Sequence, residues 1–143
     1  MAEARPRQGP GVAVGVSETM IHDLVHAFYG KVRQDAVLGP IFNARIGPGW
    51  DVHLAKLCDF WSSVLLMTGR FKGTPMAVHA RLPEIRPEHF VRWLELFRQT
   101  AAEICPAPAA AIFVEKAEMI GQSLQMGIAI SRGEYLPSTR SDR

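Results

Sequence analysis

The sequence predicts an all-α fold, on three observations. Apolar residues recur at three- and four-residue intervals through four long stretches. Those stretches are separated by breakers: Gly47-Pro48-Gly49, a loop flanked by Gly69 and Gly73, and Cys105-Pro106-Ala107-Pro108. No segment alternates apolar and polar residues as a half-buried strand would. At 143 residues the chain is long enough for one domain with a single core and too short for two.

Residues 1–16 hold Ala, Gly, Pro, Arg and Val without periodicity and read as a disordered leader. Ser17 is placed to cap a helix running to about Gln34, with Met20, Ile21, Leu24, Val25, Phe28 and Val32 inward. A short apolar segment, residues 38–42, follows. The second long helix runs from about Gly49 to Met67. His53, Leu57, Phe60, Trp61 and Val64 share one of its faces. Thr74 caps a very short helix with Pro75 at its first position, and Pro83 ends it. Pro87 opens the third long helix, to about Ile104, with Phe90, Trp93, Leu94, Phe97 and Ala101 inward. The last, from about Pro108 to Ser131, turns Phe113, Ala117, Ile120, Leu124 and Ile128 to the core. Residues 132–143 read as a flexible tail. The expected domain is therefore 17–131, with four substantial helices and two short ones.

Composition narrows the function. The net charge of +2 sits in the two ends, and residues 17–131 balance at 11 basic and 11 acidic side chains. A neutral domain gives no electrostatic footprint for nucleic acid. No apolar run is long enough for a membrane span, and no secretory signal pattern opens the chain. Cys58 and Cys105 look like small apolar residues within helices. A reduced, cytoplasmic, monomeric protein is expected, without a disulfide.

Five histidines carry the possible chemistry. His22 and His26 stand at i and i+4, a chelating spacing, but no third ligand is evident and an exposed helix face is the simpler reading. His89, in the first turn of a helix, reads as surface or pocket rim. His53 lies on an aromatic helix face, and His79 on a very short helix between breakers. Taken alone, each is more often a satisfied core histidine than a ligand. Two such histidines on separate helices, amid aromatics, suit a flat apolar ligand with a metal at its centre. A ligating imidazole needs its second N–H held. The Pro75 carbonyl, four residues back along the helix, is a natural acceptor for His79. Tyr29 and Trp93 are the other unusual residues, each open to a core reading. No nucleophile elbow, phosphate loop, dinucleotide fingerprint or paired zinc cysteines appear, and C-x-x-C-H is absent.

Five separated segments then carry a resemblance: F-Y-G-K-V-R-Q-D-A-V-L-G-P-I-F (28–42), W-D-V-H (50–53), F-W-S-S-V-L-L (60–66), G-T-P-M-A-V-H (73–79) and H-F-V-R-W-L-E-L-F (89–97). In order and spacing they resemble the truncated haemoglobins, and the group III branch most. The chain has no Gly-Gly pair, which separates it from groups I and II. The resemblance implies a two-over-two helical sandwich around haem b. His79 would be the proximal histidine and metal ligand. Tyr29 and Trp93 would be the distal ligand-stabilising donors, with His53 the distal histidine. Phe42 would stack on the haem, and Leu57, Phe60, Trp61 and Met76 would line its pocket. His53 would either gate ligand entry or take the sixth position of the iron. Arg45, Arg70, Lys72 and Arg81 lie near expected pocket edges as candidate partners for the propionates.

Dioxygen held at such a site carries partial negative charge. A tyrosine O–H and a tryptophan N–H in a dry pocket would stabilise it and slow its escape. The expectation is a protein that binds dioxygen, nitric oxide or carbon monoxide tightly at a five-coordinate iron. The competing expectation is a peroxidase-like or nitric-oxide-detoxifying enzyme using the same site with an external reductase. A third, haem-free interaction module is disfavoured by a histidine at position 79.

Overall fold

In the computed structural model, which describes residues 9–71 and 86–131, the first helix, α1 (Glu18–Gln34), starts where the Ser17 hydroxyl accepts the Met20 amide at 3.1 Å. It ends at Asp35, whose backbone turns extended. The Asp35 carboxylate accepts the amides of Val37 and Leu38 at 3.0 and 2.9 Å and so starts α2 (Leu38–Ile46). The turn is tight enough to need Gly39, since a Cβ there would lie 2.6 Å from the Arg33 carbonyl oxygen. The α2 helix outlasts the apolar segment read from the sequence. Asn43, Ala44 and Arg45 are exposed and carry no hydrophobic signal, and the helix runs on until Gly47 breaks it with φ of 58°.

A 3₁₀ turn (Gly47–Gly49) leads into α3 (Trp50–Leu66), which stops at left-handed Met67. The fourth helix, α4 (Pro87–Ile104), has proline at its first position, and His89 Nδ1 accepts the Arg86 amide at 2.9 Å. His89 thus caps a helix. The last is α5 (Ala107–Ser131). No strand occurs among the described residues.

The helices pair. The α1 and α3 helices pack together, α4 packs along α5, and α1 lies against α4, with α2 in the corner. This is the two-over-two arrangement expected. Its centre is aromatic: Trp61 stacks on Phe97 with centroids 5.5 Å apart and meets Phe113 at 5.4 Å, while Trp93 stacks on the same Phe97 at 5.9 Å. Leu94, expected inward on α4, is only half-buried, and Leu96 and Thr100 take the core positions. The Thr100 hydroxyl spends its hydrogen bond on the Leu96 carbonyl at 2.7 Å.

One expectation needs correction. The sequence predicts a disordered leader through residue 16, whereas residues 9–16 are folded. Val12–Val14 form a 3₁₀ turn, Gly11 donates its amide to the Leu65 carbonyl at 2.9 Å, and Val16 is buried. A Cβ on Gly9 would lie 2.1 Å from that same carbonyl oxygen. Backbone-to-backbone docking of this kind leaves no periodic signal in the side chains. Next to it, the Ser62 hydroxyl bonds Glu18 and Thr68, both at 2.8 Å, and Arg70 reaches Glu18 and Ser62. Arg70 is therefore engaged in joining α3 to the start of α1. Both cysteines are free, and burial pushes their thiols up, aided at Cys58 by Asp59 and Glu18. Among the described residues no helix is long and apolar enough to cross a membrane.

Candidate functional site

The helix pairing brings residues from four elements to one place. Phe28 is the hub on α1. Its ring meets Tyr29 at 4.6 Å, Trp93 at 5.5 Å and Phe97 at 5.0 Å, each edge-on. Tyr29 then reaches Phe42 of α2 at 6.5 Å and His53 of α3 at 6.1 Å. Phe28, Tyr29, Phe42 and Trp93 are all buried, and His53 is half-buried.

Two polar groups in this cluster can donate, the Tyr29 hydroxyl and the Trp93 indole N–H. Burial pushes the Tyr29 phenol up to about 12, and the Trp93 indole N–H facing it works the other way. The hydroxyl therefore keeps its proton at every physiological pH. Trp93 Nε1 is buried and closes no full hydrogen bond among the described residues, although it lies near enough to the Tyr29 oxygen to lower that phenol. Burying an unpaired N–H costs about 1–3 kcal/mol, which a fold sustains where something else supplies the acceptor.

Beyond His53 the same face of α3 presents Leu57, Phe60 and Val64, all half-exposed. An apolar cleft of about 370 Å³ opens along it between α3 and α5, lined by Phe60, Val64, Met119, Ile120 and Leu124, with Lys116 at its side. Trp61 does not share that opening; it is 4% exposed in the stack with Phe97 and Phe113. His79, Met76, Lys72 and Arg81 lie outside the described residues. His22 and His26 stack at 4.1 Å on the exposed side of α1, away from the cluster. Among the described residues no three histidine, cysteine or carboxylate side chains gather where they could hold a metal unaided.

Sequence reading missed the residues that brace the site. Arg92 Nε and Nη2 both donate to Asp35 Oδ1, at 2.9 and 2.6 Å, locking the α1–α2 corner to the turn of α4 that carries Trp93. Burial pushes the Asp35 carboxyl up, but Arg92 and the Leu38 and Val37 amides outweigh it and hold the group below the ordinary carboxylate range. Trp50, at the start of α3, donates its indole N–H to Asn43 Oδ1 at 3.0 Å and packs on both Tyr29 and His53. The one signal for it was its place three residues ahead of His53.

A two-over-two helical sandwich that gathers a buried tyrosine, a buried tryptophan and a half-buried histidine has the architecture of a truncated globin. Comparison with known proteins agrees. The chain is 35% identical over 113 residues to the group 3 truncated hemoglobin ctb of Campylobacter jejuni, covering 77% of this chain and 89% of the relative. The crystal structure of a group III truncated hemoglobin from Campylobacter jejuni superposes with a TM-score of 0.73, at 35% identity and over the same shares of the two chains. No protein-family model matches the chain. The chain belongs to the group 3 truncated haemoglobins, and membership implies a haem cofactor.

Proposed function

We propose that the chain binds haem b through His79 and uses Tyr29 and Trp93 to hold a diatomic ligand tightly. The observation that carries this reading is the Trp93 indole N–H, buried and closing no full hydrogen bond among the described residues, beside a tyrosine that stays protonated. The residues present fit a haem. The half-exposed apolar face of α3 and the adjoining cleft are surfaces that a flat macrocycle would cover. Phe42, Leu57, Phe60 and Met76 would pack against it, and Trp61 supports them from the core. When bound, haem supplies the iron to which the ligand attaches.

The chain's own residues set what happens next. Trp93 and Tyr29 can only stabilise a ligand that accepts hydrogen bonds, so dioxygen is favoured over carbon monoxide. The aromatic hub excludes water and strengthens both donors. His53, half-buried against Tyr29, guards the entry. Two donors to one charged acceptor make release slow, which suits tight binding better than delivery. Turnover on peroxide or nitric oxide would draw electrons from an external reductase.

The test is the absorption spectrum in ferric, ferrous and ligand-bound forms. A red protein with a Soret band and a stable ferrous dioxygen complex is expected. A colourless protein that cannot take up haem would refute the reading.

A further inference from the structure

Trp50 is held from several sides by elements other than its own helix. Its indole N–H donates to Asn43 Oδ1 at 3.0 Å, and the Asn43 amide donates to the Arg33 carbonyl, also at 3.0 Å. The Arg33 guanidinium lies 4.8 Å from the indole centroid. The end of α1 and the middle of α2 thus fix the orientation of the first side chain of α3.

What remains of the ring meets the site. Trp50 and His53 stand edge to face, 5.7 Å apart at 81°, and Trp50 and Tyr29 are 6.0 Å apart. His53 also meets the Tyr29 ring, again edge to face at 87°. An imidazole packed on two fixed aromatic rings loses both when it turns to solvent. Each pair of this kind shifts a two-position equilibrium by about two- to tenfold.

We infer that Trp50 is a positioning residue for ligand entry: clamped by Asn43 and Arg33, it holds the His53 imidazole inward against Tyr29 and so slows access to the pocket. The inference rests on the proposed haem pocket and goes beyond it by naming what holds the gate. Tyr29 meets the imidazole edge to face from α1, and Trp50 meets it edge to face from the first position of the helix that carries His53.

The test is flash photolysis of the carbon monoxide complex of the full chain. Trp50→Leu should speed ligand association about three- to tenfold, and Asn43→Leu about two- to threefold, the range that loss or loosening of one aromatic pair supports. Asn43 is exposed, so its replacement leaves the core intact. In a His53→Ala background Trp50→Leu should add nothing, since its effect passes through His53. A Trp50 effect that persists undiminished without His53, or no acceleration in either variant, overturns the inference.

A second readout needs no haem. In the haem-free protein the His53 ring protons should be displaced by the Trp50 ring current, lose the displacement in Trp50→Leu, and shift partway in Asn43→Leu. Undisplaced protons in the wild type overturn the inference outright. Displaced protons in a protein that never takes up haem would remove the pocket reading, and ligand entry with it, while leaving the Trp50–His53 packing in place.

Discussion

At the scale of single residues, the proposed ligand binding depends on two donors kept dry. Tyr29→Phe removes an O–H and leaves the ring contacts with Phe28 and Phe42. Dissociation of dioxygen should then quicken about 10- to 100-fold, the equivalent of one hydrogen bond to a charged acceptor. Trp93→Phe should do the same by removing the N–H, and stopped-flow ligand displacement checks both. An unchanged rate would mean that the donors do not reach the ligand. Tyr29 also makes a prediction for pH. Its folded pKa, about 12, lies above the ordinary tyrosine value of 10. Its contribution to stability is therefore complete below pH 10 and fades as pH climbs towards 12. Over that window the wild type should lose up to about 3 kcal/mol relative to Tyr29→Phe, measured by urea unfolding of the two proteins side by side.

At the scale of elements, the α1–α2 corner and the docked segment before α1 are the vulnerable joints. Asp35 both caps α2 and receives the Arg92 fork from α4. Asp35→Ala should cost about 1–2 kcal/mol from the lost cap alone. Because the carboxyl is held below its ordinary range, its contribution is present above the ordinary carboxylate pKa and is lost as pH falls through the lower folded value. The wild type should therefore converge on Asp35→Ala in strong acid, a comparison for thermal denaturation across pH. Gly9→Ala should cost about 1–3 kcal/mol, since the added carbon collides with the backbone at Leu65 and one of the two must move. A Gly9→Ala protein of wild-type stability would show that this segment does not hold its place on α3.

At the scale of the whole molecule, two helix pairs create an aromatic hub on one side and an apolar cleft on the other. The proposed haem binding belongs to this scale, because it would draw on both. His79→Ala should abolish stable haem uptake, whereas His53→Ala should keep the Soret band and change only ligand kinetics. Equal loss in both variants would mean that the axial ligand has been misassigned.

Much of this was legible in the sequence, for local reasons. Ser17, Pro87 and the Gly47-Pro48-Gly49 break act through neighbouring backbone, so the limits of α1, α3 and α4 could be placed from them. Helical spacing found the inward face of α1 and, Leu94 apart, that of α4, while on α3 it found the half-exposed face of His53, Leu57, Phe60 and Val64; the five matching segments named Tyr29, His53 and Trp93. Position 79 and the short helix expected around it lie outside the described residues, and the proximal assignment is the sequence's. Only the tertiary structure decided what depends on packing between elements. It seated Trp61 in the stack with Phe97 and Phe113, gave Arg70 to Glu18, and folded residues 9–16 onto α3. It also left Trp93 Nε1 without a partner among the described residues, and it clamped Trp50, which packs on His53, between Arg33 and Asn43. Periodicity records which face of a helix is apolar; it does not record which other helix that face meets, and every one of these contacts is made across that gap.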